Sequence, residues 1–145
     1  MIEHELEVSL SQSVDEVYAF FLDIPNEPAW NPECLSVEQT SQGPIAAGST
    51  FTGRMRGVGR MTAEILAADR PVRIAMVERS AVATGTFEFR FEPEGQGTRL
   101  HFSARVQPRG PLRMLQPLMR RKFGKLMREL PANMRRGIDA ADHAA

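Results

Sequence analysis

The sequence has one cysteine (Cys34), one tryptophan (Trp30) and one tyrosine (Tyr18) among 145 residues. A single cysteine excludes an internal disulfide and any zinc site built from several thiolates. No three metal-ligating side chains fall at ligand spacing either, so neither a metal nor a cofactor is expected. Charge of neither sign is in excess, with 18 Lys and Arg against 18 Asp and Glu. That balance gives no reason to expect nucleic acid as a partner. No apolar run approaches the ~20 residues that cross a bilayer, and the acidic start lacks the basic region of a signal peptide. The expectation is a soluble, cytoplasmic chain, monomeric or homodimeric. Hydrophobic residues make up 42%, enough to exclude a disordered chain, and the length suits one domain spanning residues 1–145.

Charge is balanced in total but not along the chain. Residues 1–40 hold nine acids and no Lys or Arg, whereas Arg109 to Arg136 hold nine basic side chains and one acid, Glu129. The two ends therefore meet in the fold, or the basic end faces something anionic.

Ile2 to Leu10 alternates strictly, with His4 on the apolar face and Glu3, Glu5 and Glu7 on the other, the period of a half-buried strand. Ser13 stands three residues before Glu16, a capping-box spacing, and opens a helix that buries Val14, Val17, Tyr18, Phe21 and Leu22 and stops before Pro25. The proline-rich stretch from Pro25 to Pro32 allows one short helical turn around Glu27 to Trp30. Strand-like runs follow at 35–40, 50–57, 60–68, 72–79, 83–91 and 98–106, separated by Gly and Pro turns. Short connections and one apolar face per strand argue for an antiparallel sheet, with no βαβ unit for a nucleotide.

From Pro117 to Ile138 the helical period returns. Met119, Phe123, Leu126, Met127, Leu130, Met134 and Ile138 form one stripe, and most of the basic residues take the other side. Such a helix would be about 33 Å long. Pro131 predicts a kink, Gly124 weakens the middle, and 139–145 is expected to fray. The fold class is therefore α+β: a curved antiparallel sheet of six to seven strands, two short helices after the first strand, and a long C-terminal helix covering the apolar face. A helix laid inside a curved sheet leaves space beneath it, and adaptable Met side chains suit a wall around a greasy ligand.

Several segments carry a resemblance: Ser13-Val14-Asp15-Glu16-Val17-Tyr18, Pro28-Ala29-Trp30-Asn31-Pro32, Gly43-Pro44, Gly48-Ser49-Thr50-Phe51 and Gly95-Gln96-Gly97-Thr98-Arg99-Leu100, followed by the long helix. Over nearly its whole length the chain resembles the START-like helix-grip superfamily (SRPBCC), in its polyketide cyclase/dehydrase-like branch. The resemblance implies a deep, mainly apolar cavity for a lipid, polyketide, isoprenoid or aromatic compound, with or without catalysis.

Residues expected to line that cavity are Leu6, Trp30, Phe51, Met55, Met61, Ile65, Met76, Phe87, Phe89, Phe102, Met119, Phe123 and Met127. Glu78 shares the phase of Ile74 and Met76 and is a candidate proton carrier or a rim residue; His4 is a candidate for the same role or a packed histidine. Trp30 could stack on a ligand or plug the helices onto the sheet. Arg54 and Arg56 are expected to point outward, which leaves no inward Arg to stabilise an enolate and weakens the cyclase reading. No partnered Ser–His–Asp set supports a hydrolase. Three functions stay open: a binding or carrier protein for a hydrophobic small molecule, a cyclase or dehydratase, and an interaction module whose cavity is filled. The basic amphipathic helix adds a weaker expectation of membrane contact.

Overall fold

Alternation carries the first strand, β1 (Ile2–Leu10), which buries Ile2, Val8 and Leu10 and leaves the three glutamates in water. In the computed structural model, which describes residues 1–144, six further strands follow: β2 (Cys34–Gln39), β3 (Thr50–Met55), β4 (Gly59–Asp69), β5 (Arg73–Ser80), β6 (Ala83–Glu94) and β7 (Gly97–Pro108). They form one antiparallel sheet in the order β1-β7-β6-β5-β4-β3-β2. Strands β2 to β7 are thus a plain meander, and β1 closes onto its far edge. Pairing extends β6 and β7 beyond the expected limits, because only Gly95 and Gln96 are needed to turn between them.

Helix α1 (Val14–Leu22) begins where the spacing places it, with Ser13 Oγ accepting from the Glu16 amide at 3.3 Å. A 3₁₀ turn over Ile24–Ala29 then carries the chain across to β2. Between them these pieces bury Val17, Tyr18, Phe21 and Ile24 against the sheet, where Phe21 meets Phe89 at 5.5 Å between ring centroids.

The C-terminal helix, α2 (Gln116–Ala144), follows a second 3₁₀ turn, Gly110–Leu115, and continues unbroken through Pro131. It outruns the expected end at Ile138. Gln12 Nε2 donates to Asp139 Oδ1 at 2.8 Å and to Asp142 Oδ2 at 2.7 Å, which holds the last turns in place where fraying is expected; Ala145 lies outside the described residues. The two halves of α2 differ. Met127, Leu130, Met134 and Ile138 are buried in the core, whereas Leu118 is 67% exposed and Met119 only half-buried. The helix is therefore seated on the sheet from about Gly124 onward and stands off it over its first two turns.

Candidate functional site

Register places the floor of the gap. Residues directly opposite on antiparallel strands share a face, so Ile2, Val106, Gly85, Glu78, Ala63 and Phe51 form one inward row across β1, β7, β6, β5, β4 and β3. Small residues beside Glu78 leave room above the sheet. Under the first half of α2 this opens into a cavity of about 370 Å³, within the range of about 300–1,000 Å³ that takes a small organic ligand. Its floor includes Ile2, Met61, Glu78, Ala83, Gly85, Phe87 and Val106. Met119, Phe123 and Leu126 of α2 roof it, and Leu112 and Leu115 of the second 3₁₀ turn close one side. The mouth lies at the β3–β4 hairpin (Arg56, Gly57, Val58) and at the end of β5 (Arg79, Ser80). A second space of about 100 Å³ lies beside α2, bordered by Pro32, Glu33 and Glu129, and shares Phe87, Phe123 and Leu126 with the first. Those three side chains partition the gap.

Glu78 is the only acid in the lining of the larger cavity. Its carboxyl makes no hydrogen bond among the described residues, and burial, then the charge of Glu27, raises its pKa well above the ordinary carboxylate range. Glu27 sits behind it on the 3₁₀ turn, 4% exposed, and accepts from Asn31 Nδ2 at 2.8 Å. Burial lifts the Glu27 carboxyl to about 7, against the lowering effect of hydrogen bonds from Asn31 and Cys34. The buried Cys34 thiol shares this pocket of acid. Burial first, then the charges of Glu27 and Glu78, push it up to about 12, so it is an inert thiol rather than a nucleophile. Two buried carboxyls with raised pKa values, one of them lining an apolar space, form a pair able to exchange a proton with whatever enters it.

Of the residues singled out from the sequence, Met55, Met61, Glu78, Phe87, Met119 and Phe123 line the larger cavity, and Phe102 and Met127 line the smaller one with Phe87 and Phe123. Phe51, Ile65, Met76 and Phe89 lie in the core cluster, with Leu6 packed against it, and none of these five lines either space. Trp30 packs between Phe21 and Phe89, at 5.3 and 6.0 Å between centroids, in the manner of a plug. His4 lies edge-on to Phe123 at 5.3 Å and against Gly124, outside the lining.

One expectation is reversed. Arg56 belongs to the lining rather than pointing outward, because β3 ends at Met55 and strand alternation no longer governs the turn beyond it. Sequence reasoning also passed over Arg79, Lys122 and Glu27. The first two look like ordinary solvated charges. The only local signal for Glu27 is Asn31 four residues on, a spacing too common to single it out.

The family model described as polyketide cyclase / dehydrase and lipid transport matches residues 1–138. No curated protein matches the chain in sequence. Among solved structures, a START superfamily protein from Mycobacterium smegmatis superposes with a TM-score of 0.76 at 14% identity, covering 96% of this chain and 98% of that one. TTHA0849 from Thermus thermophilus gives a TM-score of 0.69 at 18% identity over 96% and 98% of the two chains. The di-domain ARO/CYC BexL of the BE-7585A biosynthetic pathway gives 0.75 at 17% identity, covering 96% of this chain and 47% of that one. At such identities the likeness is one of fold: the START-like helix-grip architecture.

Proposed function

We propose that this chain, which belongs to the polyketide cyclase/dehydrase and lipid transport family, binds a hydrophobic small molecule between α2 and the sheet. A lipid, polyketide, isoprenoid or aromatic compound would meet a mainly apolar wall with one carboxyl, Glu78, and further polar groups at the mouth. The observation that carries this reading is the 370 Å³ space whose lining is mainly apolar, held open because the first turns of α2 are not seated. Water expelled from apolar ligand surface supplies affinity, at about 25 cal/mol per Å² before ordering costs. A guest with a carbonyl or hydroxyl would gain a hydrogen bond from the protonated Glu78 carboxyl. The open space leaves an interaction module with a filled interior without support.

Native mass spectrometry of freshly purified protein, with extraction of whatever co-purifies, tests the reading. Binding of a neutral apolar dye such as N-phenylnaphthylamine is the companion measurement. One dye per chain is expected, lost in Ala83→Phe, which fills the cavity from its floor. A folded Ala83→Phe variant that binds the dye as well as the wild type would refute it.

A second reading, a cofactor-independent cyclase or dehydratase, is favoured by one observation: a carboxyl with a raised pKa inside an apolar cavity is suited to proton transfer. Glu78→Gln that keeps dye binding but ends conversion of a co-purifying compound would assign it. Conversion unchanged in that variant would remove it.

A further inference from the structure

On the convex face of the sheet several cations are paired: Arg73 and Arg90 with Glu88, Arg99 with Glu94, and Arg105 with Glu3. At the cavity mouth Arg56 from the β3–β4 hairpin and Lys122 from α2 both contribute to the lining, and among the described residues neither has a salt-bridge partner. Arg79 borders the mouth through its strand, but alternation puts its side chain on the face opposite Glu78. Two elements distant in sequence thus bring two unneutralised cations to one opening. The Lys122 ammonium sits at the hairpin tip, where a β-carbon on Gly57 would stand 3.6 Å from Nζ.

The rim between these charges is greasy. Val58 and Leu115, both of the lining, are 37% and 49% exposed. Glu78 is the one acid in the lining, and burial holds it toward its neutral form, so it does not cancel the charge at the opening. An apolar interior, an apolar rim and a pair of cations at the opening are complementary to one kind of small molecule.

We propose that the cavity takes an amphipathic acid, its apolar chain beneath α2 and its anionic head at the mouth between Arg56 and Lys122. This rests on the hydrophobic-ligand reading above and adds the chemistry of the head. Charge-assisted hydrogen bonds from a guanidinium group and an ammonium favour carboxylate, sulfate or phosphate alike. Because the two cations are solvent-exposed, their combined effect is about tenfold in affinity rather than a thousandfold.

Competition of decanoate and decanol against bound N-phenylnaphthylamine tests it. In the wild type, decanoate should displace the dye about tenfold more effectively than decanol, and added salt should erode the difference. In the Arg56→Gln/Lys122→Gln variant the two should compete alike, with decanol unchanged; the exposure of these side chains keeps the fold out of the comparison. Equal competition by the two in the wild type, or a preference retained in the double variant, overturns the proposal and leaves the cavity reading standing. Competition by neither overturns both. Phosphatidylglycerol vesicles distinguish the source of the anion: flotation that depends on the two cations, with no preference for decanoate, assigns them to a membrane surface and overturns the proposal.

Discussion

Replacing Glu27 by Gln tests the buried acid pair directly. The variant keeps the size of the side chain and an oxygen to accept from Asn31, and it removes only the ability to ionise. In the unfolded chain Glu27 releases its proton near its ordinary value of 4.5, and in the native protein near 7. Between those values the native state holds a proton that the unfolded state has lost, so the wild type loses stability as pH rises through that window. The full penalty is present above about pH 7 and absent below about pH 4.5. At about 1.4 kcal/mol for each tenfold of proton affinity, it amounts to about 3 kcal/mol. Urea denaturation of both proteins reads it out. The variant should gain less than about 1 kcal/mol over the wild type at about pH 5, and about 3 kcal/mol at about pH 8. Glu78 titrates with its partner, so part of the gain comes through a carboxyl that no longer faces a second charge. Parallel pH profiles for the two proteins would refute the argument, since a Glu27 that ionises normally in the native state would cost nothing to keep.

Met134, fully buried on the seated part of α2, and Met119, over the cavity in the raised first turns, should respond differently to truncation. Met134→Ala should cost about 2–5 kcal/mol and Met119→Ala less than about 1 kcal/mol in chemical denaturation; equal costs would mean that the helix is seated throughout. A β-carbon on Gly85 would lie 2.8 Å from the ring edge of Phe87, so Gly85→Ala must swing that ring within the cavity wall. Dye affinity should fall roughly fivefold, and an unchanged affinity would place the dye elsewhere. Gly137 faces the Ala29 carbonyl oxygen at 2.7 Å and Trp30 Cβ at 2.9 Å from where its β-carbon would be. Gly137→Ala should therefore destabilise by about 1–3 kcal/mol despite its better helix propensity, and a raised melting temperature would contradict this.

Much of the fold is legible locally. Each strand declares which of its faces is apolar, Ser13 and Glu16 declare the start of α1, and the stripe from Phe123 to Ile138 declares the side of α2 that meets the sheet. Glu78 was identifiable because strand period alone puts it in phase with Ile74 and Met76. The same logic misplaced Arg56, which lies one residue past the end of its strand, where the period lapses. It also had no means of separating Met61, on the cavity wall, from Met76 two pairs along the same inner face and packed in the core.

Periodicity reports which way a side chain points, and that much the chain determines by itself: the element order, the inner face of the sheet, and a long helix with one side to bury. It carries no information on how far away the opposing surface lies. Only the packed molecule decides that α2 stands off the sheet in its first turns, that Glu27 is brought behind Glu78, and that two cations far apart in sequence meet at one mouth. Each of these is a distance between segments far apart in sequence, set by how a curved sheet and a straight rod fit together.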